Sequence, residues 1–257
     1  MNYSILDPTG NITAIITTPV DPDKRASAAA QVMETEPDVE QVGFLTGGNG
    51  IYDGFLQMAG GEFCGNASLS AAAIIAMDRK VKVGDTERIL LKVSGSKGLV
   101  PVQLEAISEN SFKGRVLMPE AKGMAEVFIS EEDKMKAPVV IMPGIAHAIV
   151  PESFGAEKAE AVLPDLCQKI GADAMGIMLI DDAKSRITPI VYVPSAGTLV
   201  RENSCASGTA AVGAYLAASE GNRIERSFTE PGGILTVEAE PGGDIIIGGT
   251  VSLLKKF

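Results

Sequence analysis

The chain has 257 residues, 46% of them hydrophobic and 21% charged, which excludes a disordered class and leaves room for one large domain or two of ordinary size. Twenty-two Lys and Arg against 33 Asp and Glu give a net charge of −11 with no basic patch, so nucleic acid and anionic membrane are poor partners. Met1 to Pro8 lacks the basic and apolar regions of a signal peptide, no apolar run approaches the roughly 18–20 residues of a membrane span, and three cysteines without close spacing predict a reducing, cytoplasmic setting.

Ile12 to Thr18 is rich in β-branched residues and reads as a strand, and Asp21-Pro22 opens a helix to about Met33. Gln41–Thr46 and Phe55–Met58 read as strands around the turn Gly47-Gly48-Asn49-Gly50. A helix follows Cys64 and ends near Lys80. Strands are predicted at about Arg88–Val93, Leu99–Leu104 and Lys113–Met118, with Pro119–Met124 as a connection. In the second half, strands at Val139–Met142 and Ala146–Val150 lead to a helix over Ala156–Ile170. Strands at Met175–Ile180 and Ile187–Val193 then precede a helix from Cys205 to about Ser219.

Two near-copies of one local sequence carry the chemistry. The first is Gly61-Glu62-Phe63-Cys64-Gly65-Asn66-Ala67-Ser68, followed by an alanine-rich run. The second is Glu202-Asn203-Ser204-Cys205-Ala206-Ser207-Gly208-Thr209, followed by another. Each places a thiol at the first turn of a helix, where unpaired N–H groups and the positive end of the dipole favour a thiolate. The repeat has a second anchor, because Gly98-Leu99-Val100-Pro101-Val102-Gln103 follows the first helix as Gly233-Ile234-Leu235-Thr236-Val237-Glu238 follows the second. Two copies of so long a period predict two pseudo-symmetric domains. They are 1–118, joined by the last strand over 245–257, and 125–244. Cys167, on the 156–170 helix, has no counterpart and reads as structural. There is no C-x-x-C, and the single His147 has no histidine partner, so no metal site is expected.

With Cys64-Gly65-Asn66, the second helix-start cysteine, the late Pro231-Gly232-Gly233, Thr9-Gly10-Asn11 and Glu40-Gln41-Val42-Gly43-Phe44, the chain resembles the diaminopimelate epimerase-like racemases over nearly its whole length. The resemblance implies an α/β (α+β) fold of two domains, each a β-barrel-like sheet around a central helix. It also implies helix starts opening on a shared cleft, and a reaction on a small amino acid without a cofactor. Cys64 and Cys205 are then the catalytic pair, since inverting an α-carbon takes one group on each face. The helix-start N–H groups would hold the α-carboxylate, with small Gly65, Ala206, Ser207 and Gly208 allowing close approach. Asn11, Gln41 and Asn66 match positions that line the site, His147 stands at the family's histidine, and Glu202, like Glu62, is either a tuning group or a first-turn carboxylate.

The pattern departs from diaminopimelate epimerase itself. Ile145 stands where an asparagine precedes the histidine, and Ala196-Gly197 replaces a Glu-Arg pair ahead of the second cysteine. The distal charges of diaminopimelate would lack partners there, at a high cost of burial. The run from Met58 to Asn66 resembles the related histidine racemases of metallophore synthesis. The expected activity is therefore cofactor-independent racemisation with histidine as substrate. Diaminopimelate epimerase, a phenazine-biosynthesis-type isomerase and a non-catalytic carboxylate binder stay open, as does a homodimer against a monomer.

Overall fold

The computed structural model describes residues 1–130 and 134–257. The chain divides into two compact units, Met1–Leu117 with Gly248–Phe257, and Met118–Ile247.

The first unit holds β1 (Tyr3–Asp7), β2 (Thr13–Ile16), α1 (Arg25–Thr35), β3 (Gln41–Gly47), β4 (Gly54–Met58), α2 (Gly65–Asp78), β5 (Thr86–Val93), β6 (Leu99–Ser108) and β7 (Ser111–Met118). These seven strands neighbour one another in chain order. The last strand of the chain, β16 (Ile245–Lys256), lies beside β7 and pairs antiparallel with β1, which closes an eight-stranded barrel. Period-two alternation makes the barrel wall: in β6, Val100, Val102, Leu104 and Ala106 face inward while Leu99, Gln103 and Glu105 are exposed. The interior is filled by α2, buried on all sides from Gly65 to Ile74. A helix apolar all round belongs in a core, and its alanines let the strands wrap closely.

The second unit holds β8 (Gly123–Ser130), β9 (Met135–Met142), β10 (Ile145–Pro151), α3 (Ala156–Ile170), β11 (Met175–Asp181), β12 (Arg186–Val193), β13 (Thr198–Arg201), α4 (Ala206–Glu220), β14 (Ile224–Glu230) and β15 (Gly233–Ala239). Its strands run in the order β8-β9-β10-β11-β12-β14-β15, then β16, and β13 pairs with the latter half of β12. The α4 helix, again buried and alanine-rich, packs against β9, β11, β14 and β15. The α3 helix is amphipathic. It turns Ala159, Leu163, Leu166 and Cys167 onto β11 and β12 and leaves its other face polar.

Five strands depart from the sequence reading. No strand was expected at β1, β13 or β14, β15 was marked only as the second anchor of the repeat, and β8 begins inside the stretch read as a connection. Asp21-Pro22 opens a 3-10 turn over Pro22–Lys24, and the α-helix itself starts at Arg25.

Candidate active site

Both cysteines occupy the N-cap of a buried helix. Cys64 precedes α2 with φ −134° and ψ 119°, and Cys205 precedes α4 with φ −133° and ψ 96°. Cap positions ordinarily carry a side-chain oxygen that accepts from the first turn. At Cys64 the sulfur takes that part, accepting from Ala67 N–H at 3.3 Å.

Cys64 also ends a hydrogen-bonded chain within its own unit. Its thiol donates to Gln41 Oε1 at 2.9 Å, Gln41 Nε2 donates to Asn11 Oδ1, and Asn11 Nδ2 donates to Glu40 Oε2 at 2.9 Å. The parallel register of β2 and β3 sets Thr13 opposite Gln41, which brings the buried Asn11 within reach. Gly65 and Asn66 begin the helix and are buried, and Asn66 Oδ1 has no hydrogen-bond partner. Such an acceptor at a helix start suits a donor brought by a ligand.

Around Cys205 the second unit gathers His147, Glu202, Ala206, Ser207 and Gly208. Ser207 Oγ lies 3.5 Å from Cys205 Sγ and 3.0 Å from His147 Nε2. His147 sits in the middle of β10, fully buried, and burial pushes its pKa down to about 3, so the ring is neutral. Its Nδ1 has no partner. A buried N–H without an acceptor is the costlier orphan, so the proton is assigned to Nε2. Nε2–H then donates to Ser207 Oγ, and the serine hydroxyl is free to donate to the sulfur. Gly208 lies in close approach: a Cβ there would stand 2.2 Å from Met178 Sδ, which would have to move aside, and 3.3 Å from Cys205 Sγ. Ala206, at the first helical position, is buried.

The expectation that a helix start favours a thiolate is reversed at Cys205. Burial pushes its thiol well above the ordinary range, and the charge of Glu202 and a hydrogen bond to it push the same way, while the Ser207 hydroxyl opposes them. Glu62, by contrast, is an exposed residue whose backbone carbonyl accepts from Ser94 Oγ at 2.8 Å.

Glu230 and Thr209 were not anticipated. Glu230 closes β14 at 2% exposure. It accepts from Cys205 N–H at 2.7 Å and from the Thr209 hydroxyl, and burial raises its pKa to about 7. The sequence carried no clear signal for it: Glu230 has the strand parity of the buried Ile224 and Phe228, but also that of the exposed Arg226. The next residues, Pro231-Gly232, turn the chain so that Gly232 N–H donates to Asn203 O at 2.7 Å, which ties this motif to the loop before Cys205.

Among the described residues, no cluster of His, Cys, Asp and Glu could hold a metal ion, and no helix is long and apolar enough to cross a membrane.

Residues 1–253 match the model of the histidine racemase CntK N-terminal domain. A histidine racemase of Fusobacterium nucleatum is 31% identical over 99% of this chain and 94% of its own length. One of Staphylococcus aureus is 30% identical over 93% and 89%. Among solved structures, a predicted epimerase of Pseudomonas aeruginosa superposes with a TM-score of 0.75 at 16% identity, covering 100% of this chain and 98% of that one. A hydroxyproline epimerase of Agrobacterium vitis gives 0.65 at 14%, covering 100% and 90%, and these two likenesses establish the fold alone. The chain belongs to the histidine racemase family, and with it to the cofactor-independent amino-acid isomerases.

Proposed function

We propose that this racemase inverts the α-carbon of histidine with two thiols, Cys64 and Cys205, one for each face. What supports this most directly is the pair of N-cap positions, each a cysteine on a buried helix, with unlike surroundings. Cys64 is held by the neutral Gln41 and by Ala67 N–H. Cys205 is buried beside Glu202 and kept as a thiol. Cys205 is then the acid and Cys64 the base, once the Cys64 thiol has released to solvent the proton it donates to Gln41 Oε1.

The thiolate of Cys64 takes the α-proton, and the electron pair of the broken C–H bond stays on carbon. Cys205 delivers its own proton to the opposite face, and the enzyme is left with the two protonation states exchanged. The N–H groups of the first turns, at Gly65, Asn66, Ala206 and Ser207, would hold the carboxylate as the carbanion develops. Asn66 Oδ1, unpartnered and buried, would accept from the substrate amine. Asn11 and Gln41 orient Cys64, and Ser207 and His147 steady the sulfur of Cys205 as it gains charge. No disulfide joins the three cysteines, which suits a reducing compartment, and we place the reaction in the cytoplasm.

The test is histidine racemisation in deuterium oxide. Early product from one enantiomer should carry deuterium at the α-position while recovered substrate carries little, because acid and base are different residues. Equal early labelling of both pools would point to a single base. No exchange with any amino acid would leave only a binder of carboxylates.

A further inference from the structure

Burying a carboxylate costs several kcal/mol unless donors compensate, and the two donors that Glu230 receives are neutral: a backbone N–H and a hydroxyl. A glutamine would meet the same two groups, accepting from Cys205 N–H and donating to Thr209 Oγ, without the cost of a buried charge. The carboxylate therefore has a use for its charge. Four elements present titratable or hydroxyl groups around Cys205. Glu202 comes from the segment before α4, Ser207 from α4, the neutral His147 from β10 and Glu230 from β14. None of the four is a cation.

We propose that Glu230 is a positioning residue for Cys205: anchored on the Cys205 N–H and the Thr209 hydroxyl, its carboxylate fixes the mouth of α4 and holds the proton on the Cys205 thiol. The bond to the cap N–H fixes where the sulfur starts. The charge, together with that of Glu202, makes loss of the thiol proton unfavourable. As pH rises, Glu230 ionises before the thiol can, so the thiol is held more firmly where a free cysteine would begin to lose its proton. Its consequence for turnover rests on the two-thiol reading above, whereas its effect on the thiol does not.

The experiment follows iodoacetamide alkylation of each cysteine by peptide mass spectrometry from pH 6 to 11, in the wild-type protein and in Glu230→Gln. Burial slows alkylation of Cys205 at every pH but leaves its midpoint to report proton affinity. Glu230→Gln should move the Cys205 midpoint down by about one unit, so that at pH 8 it reacts roughly tenfold faster. Cys64 and Cys167 serve as internal controls and keep their profiles. Glu230→Asp, which retains the charge, should shift Cys205 less than Glu230→Gln does. An unchanged Cys205 profile in folded Glu230→Gln, or equal shifts in both variants, would overturn the proposal and leave Glu230 a structural cap. Should Glu230→Gln not fold, Thr209→Val removes one donor and leaves less Glu230 ionised near neutrality, so Cys205 should alkylate roughly two- to threefold faster at pH 8. An unchanged or slower rate there counts against the proposal. A shifted profile in a protein whose Cys205→Ala form still racemises would sink the two-thiol reading and leave the role of Glu230 standing.

Discussion

Gly176 faces His147 across the parallel pair of β10 and β11, so closely that a Cβ at Gly176 would stand 2.4 Å from His147 Nδ1. The imidazole fits there, with Nε2 beside Ser207 Oγ, only because that position has no side chain. Gly176→Ala should push the imidazole aside, at a cost of about 1–3 kcal/mol in denaturant unfolding. It should also lower turnover by roughly tenfold if one hydrogen bond of about 1.4 kcal/mol to Ser207 is lost. Wild-type turnover in a destabilised alanine variant would show that the His147–Ser207 contact serves the fold alone.

The three cysteines should separate cleanly. Cys167 is buried among the apolar residues of α3, its thiol donates to Ala172 O at 3.3 Å, and burial and the charge of Asp173 push its pKa up. Cys167→Ala should keep most activity and cost about 1–2 kcal/mol of stability. Cys64→Ala and Cys205→Ala should each lower racemisation by about 100- to 10,000-fold with the melting temperature little changed. Near-normal turnover in either would end the two-thiol mechanism.

The strands and helices that bury one face were legible because their periodicity is strong, and α3 was read with its observed ends. The missed strands carry no such pattern. Exposed residues make up all of β13, and β1 is defined by its partners β2 and β16 more than by its own alternation. At the site, both helix starts could be read from local sequence, because an N-cap is a local event. The chain Cys64–Gln41–Asn11–Glu40 and the Glu230 bond to Cys205 join residues far apart in sequence, and only tertiary packing aligns them. The proton state of Cys205 ran against expectation for the same reason. The helix start is a short-range signal, while burial and the charge of Glu202 are set by the folded surroundings.

Gln41 offers a test of the Cys64 side. Its carbonyl accepts the thiol and its amide reaches Asn11, so a neutral side chain bridges the two. Gln41→Glu would put a carboxylate against the sulfur and raise the proton affinity of Cys64. Activity at pH 7 should fall, and the acidic limb of the kcat/KM profile should move up by about one unit or more, with partial recovery in alkali. Gln41→Leu, which leaves buried polar groups unmet, should cost about 1–3 kcal/mol and lower turnover without moving that limb. Identical pH profiles for the wild-type and Glu variants would separate Gln41 from the thiol.

Two buried groups give stability opposite dependences on pH. His147 has a folded pKa of about 3 against an ordinary 6.5, so the unfolded chain binds its proton more readily. The stability this contributes is complete above pH 6.5 and is lost as pH falls towards 3, by about 1.4 kcal/mol per unit. Glu230 runs the other way, with a folded pKa of about 7 against 4.5. Its contribution is complete below pH 4.5 and is lost as pH rises towards 7, at about the same slope. Between about pH 4.5 and 6.5 the two cancel, and urea unfolding should show His147 and Glu230 leaving stability nearly level there. Replacing one partner exposes the other. His147→Gln should lose stability as pH rises through that window, whereas Glu230→Gln should gain it. The two variants must therefore slope in opposite directions, each by about 1–3 kcal/mol across the window. Slopes of the same sign, or a Glu230→Gln curve parallel to the wild-type one, would mean that Glu230 is already ionised at pH 5 and that its burial does not hold its proton.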